Sequence, residues 1–289
     1  MSILTAGVKR ALCGYSRAAW SGRGAYPLVR QMRRLIPEPS WRAVHTTPDG
    51  LQIDLDLGTY PDCCMAFGLY ELDTARLLKR LLGPGDHFVD GGANIGYFSM
   101  IAAHCVGASG RVDAFEPQPA NRARLEANLA RNGLAARVKI HPLALWGQPG
   151  CGRIHMFEDV GALNHGSASL FTDGSKSETS AVDMARMDEV LVGTQPRVIK
   201  LDIEGAEPEA IEGMTGLLQG SNPPMLIVEF NRDAACMAGH SASAWIERLL
   251  AAAPRYRLYL IGRRLRALGT DEASLAGLGQ PNLLARCDA

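Results

Sequence analysis

The sequence predicts an α/β fold in which helices cover both faces of a mostly parallel sheet. From residue 84 onward, short apolar runs alternate with helical repeats, a glycine-rich turn follows the first run, and the runs end at polar residues. The chain has 289 residues, of which 47% are hydrophobic and 21% are charged, so it can bury a sizeable core. This composition excludes disordered, collagen-like and coiled-coil chains.

The formal net charge of zero hides an uneven distribution of charge. Residues 1–40 hold seven basic side chains and one acid, so a +6 arm precedes a −6 body. We expect a basic, partly helical arm in which residues 1–36 are a candidate contact with an anionic membrane surface or a protein partner. The overall neutrality argues against nucleic-acid binding.

The seven cysteines and the absence of a targeting pattern favour a reducing compartment. The cysteines lack zinc-ligand spacing, and no stretch approaches the length that spans a bilayer or forms a secretory signal. We therefore expect a cytoplasmic protein, with membrane association through the basic arm as the alternative. The oligomeric state stays open.

A strand pair and a lead-in helix are predicted for residues 41–83. Trp41–Val44 and Leu51–Leu57 flank a turn at Pro48–Gly50, and the second of these segments alternates apolar and polar residues. Apolar residues then recur at helical spacing over Leu69–Leu82, where glycine and proline follow.

Residues 84–289 are predicted to form one domain of alternating strands and helices. A Gly/Ser/Asn/His-rich loop at residues 161–180 interrupts the alternation, and a loop of this length is usually functional or mobile. The predicted strands are His87–Val89, Arg111–Phe115, Val138–His141, Arg153–Phe157, Val198–Ile203, Met225–Phe230, Arg257–Ile261 and Asn282–Ala285. The predicted helices run from the glycine turn to Val106, and over Pro119–Arg131, Ala206–Leu218 and Ala244–Ala252.

Acidic residues occupy the predicted strand ends. Asp90, Glu116, Asp202 and Glu229 each follow an apolar run, and His141 is the fifth polar residue in such a position. Ligands of α/β sheets bind beyond the carboxyl ends of the strands. Because a carboxylate loses solvation there unless a donor or a cation meets it, a ligand with positive charge is expected.

The glycine turn limits the expected ligand of this Rossmann-like sheet to two kinds of nucleotide. The turn from Gly91 to Gly96 lacks the middle glycine of the dinucleotide fingerprint, and Glu116 lies where an acid binds ribose hydroxyls. A dinucleotide would place its pyrophosphate beside Asp90, whereas the sulfonium and ammonium of S-adenosylmethionine would be stabilised there. Electrostatics favours the methyl donor, and an NAD(P)-dependent oxidoreductase is the alternative.

Three segments resemble the FkbM family of S-adenosylmethionine-dependent methyltransferases. They are Val89–Gly96, Ala114–Pro117 and Ile199–Glu207, and the resemblance covers roughly residues 65–285. It implies a seven-stranded sheet with a reversed last hairpin and O-methylation of a hydroxyl group on a sugar or natural product. A non-catalytic S-adenosylmethionine-binding protein is a further alternative.

The resemblance also implies where the donor binds. The turn after Asp90 would hold the methionine part, Glu116 the ribose hydroxyls, and Ala144 and Leu145 would flank the adenine. Glu71 is a weaker candidate for the donor's amino group, and Glu204 either completes an acidic pocket or caps the helix at Ala206. The predicted cofactor-binding residues are Glu71, Asp90, Gly91, Gly92, Asn94, Gly96, Glu116, Pro117, Ala144, Leu145 and Glu204.

Methyl transfer to a hydroxyl calls for a positioned acceptor and a proton acceptor. We predict Asp202 as the first choice for the acceptor side, His165 of the long loop as the second, and Glu229 as a third acid in the same pocket. A pocket of carboxylates could also bind Mg²⁺, but so few carboxylates do not specify a metal site, and no metal ligand is predicted.

Overall fold

The fold is built on strands of three sheets. The computed structural model describes residues 41–156, 168–169, 178–231, 241–271, 274–275 and 278–287, so the basic arm lies outside the described residues. Within them the strands are, in chain order, β1 (Arg42–Thr46), β2 (Gln52–Asp56), β3 (His87–Gly91), β4 (Arg111–Phe115), β5 (Val138–His141), β6 (Leu143–Leu145), β7 (Gly150–Met156), β8 (Ala168–Ser169), β9 (Glu178–Ala185), β10 (Val198–Leu201), β11 (Met225–Glu229), β12 (Tyr256–Leu260), β13 (Arg266–Ala267) and β14 (Asn282–Cys287).

The central sheet confirms the predicted α/β architecture. Its order is β13-β12-β14-β11-β10-β3-β4-β5, and the five strands from β11 to β5 run parallel. Strand β14 is antiparallel to both of its neighbours, which is the expected reversed hairpin. The expected number of seven strands is wrong by one. After β12 the chain folds back, and Arg266–Ala267 pairs with the edge of β12 as an eighth strand.

Helices cover both faces of the sheet, as predicted. One core contains Leu78, Met100 and Leu125 and the other contains Ile211 and Trp245, so each face buries its own set of helices. The helices of the described residues are α1 (Tyr60–Phe67), α2 (Leu72–Leu81), α3 (Tyr97–Val106), α4 (Pro119–Arg131), α5 (Met187–Val190), α6 (Glu207–Glu212), α7 (Thr215–Gln219) and α8 (Ala242–Ala252). None of them has the length and apolar character that crossing a bilayer requires.

Two helix predictions need correction. The helix expected over Ala206–Leu218 is divided into α6 and α7 at Gly213, which packs so closely that a Cβ there would lie 2.2 Å from the carbonyl oxygen of Trp146. The helix expected over Leu69–Leu82 begins only at Leu72, and α1 precedes it.

The predicted strand pair is present and is fastened to the main domain. Strand β2 pairs with β1 on one side, and side chains of α4 bind its backbone on the other. Asn132 exchanges two hydrogen bonds with the backbone of Gln52, and Asn128 accepts the N–H of Asp54 at 3.0 Å. Because the apolar residues of β2 also belong to the core that α2 and α3 bury, residues 41–83 and the sheet share one core.

A second sheet with the order β6-β9-β7-β8 includes parts of the segment that was expected to be irregular. Strand β7 covers residues 153–156 of the predicted strand Arg153–Phe157, and Phe157 lies outside the described residues. Strand β8 and the start of β9 lie within residues 161–180. The sequence of β9 shows little of the hydrophobic alternation that marks a strand, and Val182 is its only buried apolar side chain.

Candidate functional site

A cleft opens where the connections of the central sheet change direction. The chain runs from β3 outward to β4 and β5 on one side, and β10 and β11 lie on the other, so a crevice forms beyond the carboxyl ends of β3 and β10. The cleft is open to solvent. Its walls come from the turns after β3, β4 and β10, from β6 and β7, and from aromatic residues around Tyr70.

The turn after β3 forms the floor of the cleft and requires its glycines. Gly92 has a φ of 82°, and a Cβ at this position would lie 1.9 Å from the carbonyl oxygen of Asp202. Gly96 has a φ of 91° and begins α3, where a Cβ would lie 2.3 Å from Leu125. The turn therefore packs directly against the segment after β10, and the N–H groups of Gly92 and Ala93 both donate to the carbonyl oxygen of Phe115.

Glu116 is fixed at the end of β4 by the same turn. Its carboxylate accepts the N–H of Asn94 at 2.8 Å and the N–H of Gln118 at 2.9 Å. Burial raises the pKa of this carboxyl, and the two backbone hydrogen bonds act in the opposite direction. Since each carboxylate oxygen can accept more than one hydrogen bond, Glu116 retains capacity for the hydroxyls of a ligand.

Apolar residues of the second sheet form the wall opposite α3. Ala144 and Leu145 of β6 line the cleft together with Ile154 of β7. A Cβ on Gly91 would lie 2.8 Å from the end of the Leu145 side chain, so the glycine lets β6 approach β3 closely. This wall suits the flat apolar face of a nucleobase.

Lys200 is the central cation of the site, and sequence reasoning gave it no role. It lies in the middle of β10, is only 2% exposed, and donates a 2.7 Å hydrogen bond to Asp202. Burial alone would lower the pKa of this ammonium, but the carboxylates of Asp202, Glu71 and Asp90 raise it above its usual value. A lysine inside an otherwise apolar strand, two residues before an acid, was the signal available in the sequence.

Asp90 and Glu71 surround Lys200 from two other elements. Asp90 is 1% exposed and accepts a 2.6 Å hydrogen bond from Ser99 of α3. Glu71 precedes α2 and accepts a 2.6 Å hydrogen bond from Asn282 of β14. Burial raises the pKa of both carboxyls, and Lys200 opposes the increase. Lys200 therefore compensates part of the negative charge of Asp90 and Glu71 within the protein.

The segment after β10 carries two further acids. Glu204 lines the cleft, and burial followed by the charge of Asp202 raises its pKa to about 7. Glu207, at the start of α6, is fully buried and accepts the N–H groups of Ile203 and Gly205. These bonds end β10 at Leu201, two residues earlier than predicted. The N-cap of α6 is Ala206 and no side-chain cap hydrogen bond is formed there, so these bonds hold the turn before the helix.

A sequence model described as Methyltransferase FkbM domain matches residues 90–258, which are more than half of the chain. The chain belongs to the FkbM methyltransferase family.

Two curated relatives and one solved structure illustrate the family's range. Hexuronic acid methyltransferase AglP of Haloferax volcanii is 32% identical over 163 residues, which cover 56% of this chain and 62% of that protein. The 31-O-demethyl-FK506 methyltransferase FkbM of Streptomyces tacrolimicus is 49% identical over 57 residues, 20% of this chain and 22% of that protein. The matches thus span less than two thirds of these relatives. The structure of methyltransferase FkbM from Methylobacillus flagellatus KT aligns with a TM-score of 0.45 and 16% identity, over 78% of this chain and 55% of that chain.

Most of the residues predicted for the site of this FkbM-family chain come together. Asp202 lines the cleft, whereas Glu71, Gly91, Gly96 and Glu229 do not. Glu71 and Glu229 lie beside the acids around Lys200. His165 lies outside the described residues. The predicted residues that line the cleft are Asp90, Gly92, Asn94, Glu116, Pro117, Ala144, Leu145, Asp202 and Glu204.

His141 is the one polar residue at a predicted strand end that is not an acid. His141 does not line the cleft, because its Nε2 donates a 2.7 Å hydrogen bond to the carboxylate of Asp113 within the sheet and its ring stacks on Phe115. Among the described residues, no three His, Cys, Asp or Glu side chains are arranged to hold a metal ion.

Proposed function

We propose that this protein is an S-adenosylmethionine-dependent O-methyltransferase that methylates a hydroxyl group of a sugar or natural-product small molecule. Membership of the FkbM methyltransferase family supports the reaction class. The names of the two relatives, a hexuronic acid methyltransferase and a 31-O-demethyl-FK506 methyltransferase, support these two acceptor classes.

The charge of the cleft is the observation that carries the choice of cofactor. Its described lining contains four acids, Asp90, Glu116, Asp202 and Glu204, and one base, Lys200, which is already paired with Asp202. A dinucleotide would bring the two negative charges of its pyrophosphate into this cleft. A donor with a sulfonium and an ammonium group reduces the excess of negative charge instead.

The residues of the cleft fit such a donor. Gly92 and Asp90 line the cleft where the methionine part would bind, and Glu116, held by the turn, has acceptor capacity left for ribose hydroxyls. Ala144 and Leu145 supply a wall for adenine. When bound, S-adenosylmethionine supplies an electrophilic methyl carbon on a positively charged sulfur. The protein's own task is to orient the acceptor hydroxyl in line with that carbon, to exclude water and to take the proton.

Calorimetric titration tests the proposal against its main alternative. We expect S-adenosylhomocysteine to bind at least 100-fold more tightly than NADH at pH 7.5. The reverse order would overturn the proposal in favour of an NAD(P)-dependent oxidoreductase. A non-catalytic binding protein would bind S-adenosylhomocysteine yet transfer no labelled methyl group to any hydroxylated compound in a mixed panel of sugars and macrolides.

The cellular setting is part of the same proposal. We propose a cytoplasmic enzyme whose basic residues 1–36 contact an anionic membrane surface, because this segment carries seven basic residues and no acid. Deleting residues 1–36 should abolish binding to phosphatidylserine vesicles and leave binding to S-adenosylhomocysteine unchanged. Equal vesicle binding by both proteins would remove the membrane role.

A further inference from the structure

Three residues other than glycine have left-handed backbone in the described chain, and all three belong to the site. They are Glu71 with a φ of 39°, Asn94 with a φ of 49° and Glu204 with a φ of 55°. This conformation is unfavourable for residues with a Cβ and is retained where the surrounding structure enforces it, often at functional sites. The side chain of Glu71 accepts a hydrogen bond from Asn282, and the backbone N–H of Asn94 donates one to the carboxylate of Glu116.

The backbone of Glu204 is enforced by Glu207. The two oxygens of this buried carboxylate accept one N–H on each side of Glu204, from Ile203 at 2.9 Å and from Gly205 at 3.0 Å. Gly205 follows with a φ of 100°, so two successive left-handed residues direct the chain away from β10. The result places Glu204 in the lining of the cleft.

Asp202, the first choice from the sequence, is engaged differently. One of its carboxylate oxygens lies 2.7 Å from the ammonium of Lys200, which is buried and also lies 4.5 Å above the ring of Phe98. A carboxylate in a close ion pair is a weak proton acceptor, because taking the proton would leave the buried lysine with less compensation. Asp202 and Glu204, although only two residues apart, are therefore expected to have different roles.

We propose that Glu204, held in place by Glu207, is the carboxylate that takes the proton of the acceptor hydroxyl, while the Asp202–Lys200 pair fixes the adjoining wall. The inference rests on the proposed function. As the acceptor oxygen bonds to the methyl carbon, the carbon–sulfur bond breaks and its electron pair stays on sulfur. The hydroxyl proton passes to Glu204, so S-adenosylhomocysteine, the methyl ether and a protonated Glu204 are the products.

The surroundings of Glu204 suit a proton acceptor at neutral pH. Burial and then the charge of Asp202 raise its pKa, Lys200 opposes them, and the net pKa is about 7. The other titratable groups that face it are Glu207 of α6, Glu229 at the end of β11 and Tyr70 before α2. Proton transfer is most effective when the pKa of the base lies near the working pH.

A comparison of S-adenosylmethionine with S-adenosylhomocysteine tests this placement without a known acceptor. The two probes differ by a methyl group and one positive charge, located where the acceptor oxygen must approach. Calorimetry in EDTA should show that the ratio of the Kd of S-adenosylhomocysteine to that of S-adenosylmethionine rises about fivefold between pH 5.5 and 8.5, as Glu204 ionises beside the sulfonium.

In the variants Glu204→Gln and Glu204→Gly, the ratio of the two Kd values should rise less than twofold between pH 5.5 and 8.5. Their affinity for S-adenosylhomocysteine should change by less than fivefold. Glycine accepts the left-handed backbone, so it also guards against a folding defect. Glu247→Gln, an exposed change on α8, is the matched control and should behave like the wild type. Glu207→Gln keeps an acceptor for only one of the two N–H groups and should at least halve the rise.

The outcomes separate the two levels of inference. An undiminished rise in both Glu204 variants, or a loss of S-adenosylhomocysteine affinity greater than fivefold in both, would overturn the assignment of Glu204 while leaving the proposed function intact. An undiminished rise in Glu207→Gln would overturn the positioning role of Glu207. Failure of the wild-type protein to bind either probe would contradict the proposed function itself.

Discussion

Two ionic clusters are buried in the central sheet, and they have opposite balances of charge. In the first, one carboxylate has three basic partners: Asp113 lies 2.8 Å from His87, 2.7 Å from His141 and 3.1 Å from Arg111. Burial acts to raise the pKa of Asp113, but the hydrogen bonds from the two histidines outweigh it, and the pKa is lowered. The negative charge of Asp113 is therefore compensated by partners within the protein.

In the second cluster one cation faces several carboxylates. Lys200 interacts with Asp202, Glu71 and Asp90, and the pKa values of Glu71 and Asp90 are raised because burial outweighs the attraction of a single ammonium. We propose from this difference that the first cluster serves the structure and the second serves a ligand. A surplus of buried acid at the edge of an open cleft is stabilised by a cationic ligand, whereas a balanced cluster gains nothing from one.

Removing Lys200 should have the largest effect. Lys200→Met leaves the acids around it without their buried cation, so we expect the free energy of unfolding to fall by about 3 to 5 kcal/mol at pH 8. The loss should be smaller at pH 5, where the raised pKa values allow the carboxyls to be protonated. Urea denaturation measures both values.

Lys79→Met is the control for this change. Lys79 forms a half-exposed ion pair with Asp49, so its removal should cost less than about 1 kcal/mol. Equal losses for the two lysine variants would show that Lys200 is no more than an ordinary ion-pair partner.

Breaking the balanced cluster should affect stability alone. Asp113→Asn retains the shape but leaves the histidines and Arg111 without their carboxylate, so we expect a loss of about 2 to 3 kcal/mol by urea denaturation. Affinity for S-adenosylhomocysteine should change less than twofold in calorimetry at a temperature where the variant is folded. A tenfold loss of affinity would contradict the division between a structural and a ligand-binding cluster.

Glu116 should affect binding more than stability. Glu116→Gln keeps one acceptor oxygen but loses the charge that strengthens hydrogen bonds to ribose hydroxyls, so the Kd for S-adenosylhomocysteine should rise roughly 10- to 100-fold. Glu126→Gln, exposed on α4, is the matched control and should leave the Kd unchanged. If both variants bind equally well, ribose is not held at Glu116.

The pH dependence of stability provides the smallest expected effect. The pKa of Glu204 is raised from 4.5 to about 7 by folding, so the unfolded chain ionises first and stability falls as pH rises from about 4.5 to about 7. Between pH 5 and pH 8 the wild type should therefore lose about 1 kcal/mol more unfolding free energy than Glu204→Gln, after allowance for the partial exposure of this residue. Urea denaturation of both proteins at the two pH values measures this. If the difference in unfolding free energy between the wild type and Glu204→Gln is the same at pH 5 and pH 8, the raised pKa is contradicted.

Local sequence signals were sufficient for the parts of the site that lie close together in the chain. The glycine turn, Glu116 twenty residues later and the other acids at the strand ends follow from the order of strands and turns, and all of these acids except Glu229 line one cleft. The same reasoning predicted the parallel sheet, because apolar runs and helical repeats alternate over long stretches.

Features that depend on distant packing could not be predicted in this way. The charge balance around Lys200 arises because Glu71 and Asp90 meet it from other elements, with Asn282 of β14 binding Glu71 across more than 200 residues of sequence. The division of the helix at Gly213 depends on contact with Trp146. The second sheet was not predicted because half of the residues of β9 are polar and Val182 is its only buried apolar residue.

The most direct test of a cationic-donor site is a crystal structure of the protein with S-adenosylhomocysteine. We predict the ribose hydroxyls within 3.2 Å of the Glu116 carboxylate, which is ordinary hydrogen-bond distance, and the adenine against Ala144 and Leu145. The open side of the sulfur should face Glu204. A nucleoside bound elsewhere, or a sulfur turned away from the acids of the cleft, would contradict the account.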